Sequence, residues 1–101
     1  QAKEIEKAGA FMLVLEGIPE ELGKKISDEL IIPTIGIGAG KYTDGQVLVY
    51  HDILGMADFK PKFVKEYAQL DKIIPIKIKE FAEDVKDGKF PAEENIYNPI
   101  K

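Results

Sequence analysis

A carboxylate stands at the end of an apolar run. Phe11–Leu15 are five consecutive apolar residues, Glu16 follows them, and Gly17 and Pro19 then turn the chain. Enzymes built on parallel sheets hold their catalytic groups at the carboxyl ends of strands. Partial desolvation beside the apolar run would make such a carboxylate a stronger general base. We therefore predict that Glu16 is a catalytic base, with capping or ion pairing of the next helix as the alternative.

Two other segments carry side chains or backbone suited to chemistry. His51 is the only histidine, and a lone histidine is more often a hydrogen-bonded structural group than a catalyst, because a working one needs orienting partners. Gly36–Gly40, the glycine loop, matches the dinucleotide pattern G-x-G-x-x-G poorly, since its third glycine comes one residue early. Glycines placed for positive φ or close backbone approach explain it as well as anion binding does. We expect a ligand or a neighbouring chain to approach this backbone.

The elements that would position these residues alternate between helix and strand. Phe11–Leu15 has no polar alternation, which predicts a strand buried on both faces. Pro19 opens a helix, and Thr34–Ile37 is predicted as a second apolar strand. The helix carries one apolar stripe, formed by Leu22, Ile26 and Leu30. This order is typical of parallel α/β folds.

The first residues also have helical spacing. Gln1–Ala8 shows it, and Gly9 ends it as a helix C-cap would. The segment has neither an initiator Met nor an N-cap residue. We therefore expect the chain to be a piece of a longer protein.

Residues 43–55 permit two interpretations. Thr43 and Gln46 have capping-box spacing and Gly55 is a possible C-cap, which favours a helix. Val47–Tyr50 is rich in β-formers and is followed by His51 and Asp52 at its tip, which favours a third strand. We predict the strand.

The last third of the chain is predicted to be helical and then irregular. Pro61 is expected to open a helix with an apolar face of Phe63, Val64, Tyr67 and Leu70. A second apolar stripe, closed by Gly88, follows and is expected to pack in the core; it consists of Ile74, Ile78, Phe81, Ala82 and Val85. Residues 89–101 have no period and read as an irregular tail.

Composition narrows the class of protein. The 101 residues carry 14 basic and 18 acidic side chains, a net charge of −4. This mild acidity argues against a nucleic-acid or membrane partner, which usually requires a clustered basic face. The chain has no Cys, which fits a reducing compartment. No window approaches the length of a membrane span. We interpret the chain as a soluble, cytoplasmic, single partial domain.

Taken in order, five motifs resemble the carboxyl-terminal part of the ketopantoate hydroxymethyltransferase family. They are Ala10–Glu16, Ile35–Gly40, Thr43–Gly55, Lys60–Val64 and Phe90–Glu94. The resemblance covers nearly the whole chain. Asn95 departs from it, because the family's tail often has His at that position.

The resemblance implies a fold and a reaction. The fold is a (β/α)8 TIM barrel, of which this chain would supply the last three strands. The reaction transfers a hydroxymethyl group from 5,10-methylenetetrahydrofolate to 3-methyl-2-oxobutanoate, giving 2-dehydropantoate for pantothenate synthesis. Glu16 matches the family's proton acceptor. Mg²⁺ is implied, with ligands on strands outside this chain; Asp44 and Asp52 are weak substitutes. Members form homo-oligomers, decamers where characterised.

Two alternatives remain open from the sequence. The chain could be a catalytically inactive fragment, since the 101 residues alone would lack the metal site and most substrate contacts. It could also be a small α/β module that binds an anionic ligand at Gly36–Gly40, with Glu16 in a structural role. The residues that would bind folate cannot be assigned from these motifs.

Overall fold

The computed structural model describes residues 1–99; residues 100 and 101 of the predicted tail lie outside the described residues. The elements are α1 (Ala2–Lys7), β1 (Leu13–Glu16), α2 (Glu20–Glu29), β2 (Thr34–Ile37), β3 (Gly45–Gln46), α3 (Tyr50–Ile53), α4 (Leu70–Lys86) and a 3₁₀ turn at Glu93–Asn95. Helices and strands alternate up to β2, after which β3 follows β2 directly and α4 follows α3 directly. Across residues 1–99, no helix has the length and apolar character needed to cross a membrane.

The three strands form one parallel sheet in the order β1-β2-β3. β1 and β2 pair from Leu13 with Thr34 through to Glu16 with Ile37. β3 pairs with the middle of β2, Gly45 lying opposite Ile35. The predicted parallel α/β class is therefore confirmed, and the second strand has the predicted bounds.

The sheet has two different faces. The hydroxyl oxygens of Ser27 on α2 and Thr34 on β2 lie 2.8 Å apart, which places α2 over the face that contains Thr34. Residues paired across a sheet share a face, and successive residues alternate between faces. The covered face therefore consists of Leu13, Leu15, Thr34 and Gly36. The open face consists of Val14, Glu16, Ile35 and Ile37.

Burial follows this division. Leu15 and Thr34 on the covered face are buried, whereas Val14 on the open face is 56% exposed. The prediction of a first strand buried on both faces is therefore wrong for this chain. The reason is that α2 packs on one side only, and no other element in residues 1–99 covers the open face.

The third strand was predicted in the wrong place. β3 is Gly45–Gln46, and His51 and Asp52 lie in α3. α3 ends in a Schellman motif, in which Gly55 has φ +69° and Met56 N–H donates to the His51 carbonyl oxygen at 2.7 Å. The glycine C-cap signal at Gly55 therefore outweighed the β-propensity of the residues before it.

The predicted helix from Pro61 is also absent. Val64 N–H donates to the Pro61 carbonyl oxygen at 3.0 Å in a single turn. Farther along, Tyr67 N–H donates to Ile53 O at 2.7 Å and Leu70 N–H to Leu54 O at 3.0 Å. These N–H groups satisfy carbonyls at the end of α3, so they are not available to build a helix before Leu70.

α4 is the longest helix and has no buried residue. It ends as predicted, with Gly88 at φ +72°. The predicted core role of its apolar stripe is wrong for this chain, because Ile78 is 62% and Phe81 55% exposed. The described residues are elongated, with extents of 67 × 37 × 16 Å. Within residues 1–99 the stripe is contacted by the Phe90 ring, 5.5 Å from that of Phe81, and the sheet does not cover it.

Candidate active site

Glu16 is the last residue of β1 and lies on the open face, paired with Ile37. Its side chain is exposed. Among residues 1–99, no salt bridge and no side-chain hydrogen bond engages its carboxylate. An ionised carboxylate is an acceptor only, so Glu16 presents oxygens that can receive a proton.

The backbone that follows Glu16 is held firmly, although the side chain is not. Gly17 N–H donates to the Ile37 carbonyl oxygen at 2.9 Å, and Ile18 N–H donates to the Gly38 carbonyl oxygen at 3.1 Å. Gly17 has φ +62°, a conformation that favours glycine. The hydrogen bonds between the two segments thus continue past the end of β1. The backbone is therefore held both before and after Glu16.

Glu16 is the only charged residue of the open face. Its neighbours there are Val14, Ile35 and Ile37. Gly45 leaves room for the Ile35 side chain on this face, because a Cβ at position 45 would lie 2.9 Å from Ile35 Cδ1. Any element that covers the open face would therefore enclose a carboxylate among aliphatic side chains, the surroundings that strengthen a general base.

A groove of about 700 Å³ runs along β1, between α1 and α2. Its wall includes Lys3, Leu13, Glu16, Lys25 and Leu30. Within the described range, β1 pairs with β2 along one edge, and its other edge has no neighbouring strand. The groove and the free strand edge are continuous, and Glu16 lies on both.

The other candidate polar residues do not converge on Glu16. The Asp44 carboxylate accepts the Thr34 N–H at 2.8 Å and the Thr34 hydroxyl at 3.1 Å, which places it at the amino end of β2. The His51 ring lies against Tyr50, with 4.1 Å between ring centroids, and Asp52 follows it in α3. No cluster of three or more His, Cys, Asp or Glu suited to a metal ion occurs within residues 1–99.

The glycine loop is approached by side chains of this same chain. A Cβ at Gly36 would lie 2.7 Å from Thr43 Oγ1, and one at Gly38 would lie 2.9 Å from the Phe63 ring. A Cβ at Gly40 would meet the side chain of Glu20.

Side chains of the same chain thus occupy the space beside these three glycines, because the chain folds back over the loop. The Glu20 carboxylate also accepts the Lys41 N–H at 3.0 Å, so an N–H group that follows the loop already has an acceptor. The approach of a ligand or another chain to this backbone stays a prediction.

The sequence of this chain is similar to a known protein family. Residues 1–93 match the family described as ketopantoate hydroxymethyltransferase. The chain belongs to the ketopantoate hydroxymethyltransferase family. This confirms the resemblance found in the five sequence motifs.

Three relatives illustrate the match; each is named 3-methyl-2-oxobutanoate hydroxymethyltransferase. The Clostridium kluyveri protein is 57% identical over 92% of this chain and 34% of its own length. The Clostridium botulinum protein (strain Langeland) is 54% identical over 95% of this chain and 35% of its own. The Kosmotoga olearia protein is 52% identical over 94% of this chain and 36% of its own. The chain thus spans about a third of the length of these relatives.

Sequence reasoning missed the role of one residue near the glycine loop and placed another in the wrong element. Gln46 was considered only as a possible capping-box residue, an interpretation that was not adopted, and its side chain donates to the Gly40 carbonyl oxygen at 2.7 Å. Phe63 was placed on a helix face, and its ring instead packs on Gly38. The three alternate glycines were the available signal, because they mark positions where other groups approach the backbone closely.

Proposed function

We propose that this chain supplies the general base of a ketopantoate hydroxymethyltransferase, and that Glu16 is that base. The whole enzyme would transfer a hydroxymethyl group from 5,10-methylenetetrahydrofolate to 3-methyl-2-oxobutanoate. The names of the relatives support the reaction class. The observation that carries the role of Glu16 is a carboxylate at the carboxyl end of a parallel strand which, within residues 1–99, is unpaired and lies on the sheet face that no helix covers.

The chemistry requires such a group. The substrate carbon next to the keto group must lose its proton before it can form a carbon–carbon bond. Glu16 accepts that proton, and the electron pair left behind forms the bond to the one-carbon unit. The bonds from that carbon to the folate nitrogens break, water supplies the hydroxyl oxygen, and tetrahydrofolate is the leaving group. The hydrogen bonds made by Gly17 and Ile18 hold the strand end in place. Because the base is already oriented, the activation free energy of proton removal is lower.

The family resemblance implies Mg²⁺, but the described residues do not fit such an ion. They contain no suitable cluster of ligands, and the Asp44 carboxylate is already bonded to Thr34. We therefore assign no ligand of the ion to this chain, and no step above depends on one. In the proposal, the ligands belong to other strands of the enzyme.

The missing strands would complete a (β/α)8 barrel. β1 is an edge strand in the described sheet, its neighbouring groove is open, and the chain spans about a third of its relatives. We place these three strands last in the barrel, with the preceding strands paired to the free edge of β1. The open face would then face the barrel interior and enclose Glu16. The exposed apolar stripe of α4 supports assembly with further copies of the chain.

Glu16→Gln in the full-length enzyme tests the role of the base. Exchange of the proton next to the keto group for deuterium in D₂O, followed by NMR without folate, isolates the step that Glu16 performs. We expect exchange to fall about 100-fold or more, because general-base catalysis is worth about 10²–10⁴-fold.

Glu21→Gln is the matched control, since Glu21 is exposed on α2 and should leave exchange unchanged. Wild-type exchange in the Glu16→Gln enzyme would remove Glu16 from the mechanism. Loss of exchange in both variants would mean that the effect is not specific to Glu16.

A further inference from the structure

The connection between β2 and β3 is unusually short for parallel strands. It consists of residues 38–44 and contains no helix, whereas parallel strands are usually joined by a dozen or more residues with a helix. β3 begins opposite the middle of β2, so the link has only a short distance to return. In place of a crossover helix, side chains of the link and of β3 hold this connection.

Gln46 is the centre of that packing. Its side-chain amide donates to the Gly40 carbonyl oxygen at 2.7 Å and to the Thr43 hydroxyl oxygen at 3.1 Å. Thr43 in turn donates its hydroxyl to the Gly45 carbonyl oxygen at 2.8 Å. Gly36 makes room for both side chains, since a Cβ there would lie 2.7 Å from Thr43 Oγ1 and 3.4 Å from Gln46 Nε2.

The other end of the same link touches the turn that carries Glu16. The Gly38 carbonyl oxygen accepts the Ile18 N–H at 3.1 Å, two residues beyond Glu16. The Phe63 ring lies against Gly38 on another side. Gly38 is thus held next to the strand end, and Gly40, two residues later, is held by Gln46.

We infer that Gln46 is a positioning residue for the base Glu16. Its side chain holds Gly40 in place. Because Gly38 and Ala39 directly precede Gly40, this also holds the Gly38 carbonyl oxygen, which accepts the Ile18 N–H. The glycine loop is on this view a support for the catalytic strand end rather than a cradle for an anion. The inference rests on the proposed role of Glu16 as the base.

The amide is the chemically specific feature. One NH₂ group donates to two acceptors at once, and a carboxylate of the same shape can donate to neither. Gln46→Glu therefore removes the hydrogen bond to Gly40, places a negative charge against its carbonyl, and can keep the Thr43 contact only if the Thr43 hydroxyl turns away from the Gly45 carbonyl. Misplacement of a catalytic group by about 1 Å can cost about 100-fold in rate. We expect proton exchange and kcat to fall about 10- to 100-fold, with KM for the oxo acid changing less than threefold.

The experiment compares Gln46→Glu, Thr43→Val and Thr43→Ser in the full-length enzyme. Thr43→Val removes the hydroxyl that bonds Gln46 and Gly45, while Thr43→Ser keeps it. Deuterium exchange of backbone amides, read by mass spectrometry on the peptide that contains Gly17 and Ile18, reports on the strand end directly. We expect this peptide to lose protection in the Gln46→Glu and Thr43→Val enzymes and to keep it in Thr43→Ser.

Glu16→Gln, measured in parallel, separates the two levels of inference. If Glu16→Gln abolishes exchange but the other variants keep wild-type kcat and protection, the positioning role of Gln46 is wrong and the base stands. If Glu16→Gln retains exchange, the proposed base is wrong, whatever Gln46 does. If Gln46→Glu does not fold, the Thr43 pair decides: equal kcat and equal protection in both would overturn the inference.

Discussion

Thr34 is a buried residue at the start of β2 that holds two other segments. It has no exposed surface, and its N–H and hydroxyl both bond the Asp44 carboxylate, while its hydroxyl oxygen lies 2.8 Å from that of Ser27. The pair joins the start of β2 to the residue just before β3. These hydrogen bonds lie on the side of the sheet that α2 covers and help to hold β3 beside β2.

Replacing Asp44 tests this contact. Asp44→Ala leaves the buried Thr34 N–H without its acceptor, which costs about 1–3 kcal/mol. In the full-length enzyme, we expect a lower midpoint of thermal unfolding, by about 2–4 °C for each kcal/mol. Asp44→Asn keeps an acceptor oxygen and should lower the midpoint by less than half as much. Equal midpoints for the Ala and Asn variants would mean that the carboxylate oxygen is not the stabilising group.

At the scale of helices and strands, the sequence predicted an element correctly where its local signals agreed with one another. The apolar runs predicted the first two strands, and Gly9 and Gly88 predicted two helix ends, because positive φ is a property of the residue itself. Val47–Tyr50 failed because β-propensity depends on the neighbours of a strand. The helix from Pro61 failed because carbonyls of α3, distant in sequence, bind its N–H groups.

The candidate site was predictable only in part. The chemical character of Glu16 follows from the apolar run before it, so its place at a strand end could be expected. The contacts of Gln46 with Gly40 and of Phe63 with Gly38 could not be expected, since they depend on how the chain folds back over the glycine loop. The two-sided burial of β1 also could not be judged, because it depends on which elements pack against the sheet.

The Glu6 carboxylate links α1 to the residues that follow α2, and this contact is sensitive to pH. Glu6 accepts the N–H of Ile31 at 2.6 Å and that of Ile32 at 3.0 Å. The N–H groups of Ile32 and Ile31 hold the pKa of Glu6 below its ordinary value. A depressed carboxyl pKa stabilises the folded state above the unfolded pKa of about 4.3, and that stabilisation is lost as the pH falls through the folded value.

Glu6→Gln should therefore lower the unfolding midpoint of the full-length enzyme at pH 7 and have a shrinking effect as the pH falls below about 4. Thermal unfolding across this range measures the difference between the variant and the wild type. Glu4→Gln, on the same helix, is the control and should show no such convergence. A Glu6→Gln difference that stays constant with pH would contradict the role given to the ionised carboxylate.

At the scale of the whole molecule, α4 presents an apolar stripe to solvent. Ile78 and Phe81 are more than half exposed, and such a surface usually marks an interface. If the proposed assembly uses it, Ile78→Glu should reduce the mass of the full-length enzyme measured by light scattering after gel filtration. Lys79→Glu changes the neighbouring position on another side of the helix and should preserve the mass.

The alternative outcome is equally definite. If Ile78→Glu lowers the unfolding temperature and leaves the mass unchanged, α4 packs on other strands of its own chain. That result would remove α4 from the proposed contact between copies.

The short link between β2 and β3 also bears on the order of folding. Closing a loop costs entropy that grows with its length, and proteins rich in local contacts fold faster. Residues 38–44 close the smallest loop between paired strands in the described sheet. We infer that β2 and β3 associate before β1 joins them, so the strand that carries Glu16 is added to a preformed pair.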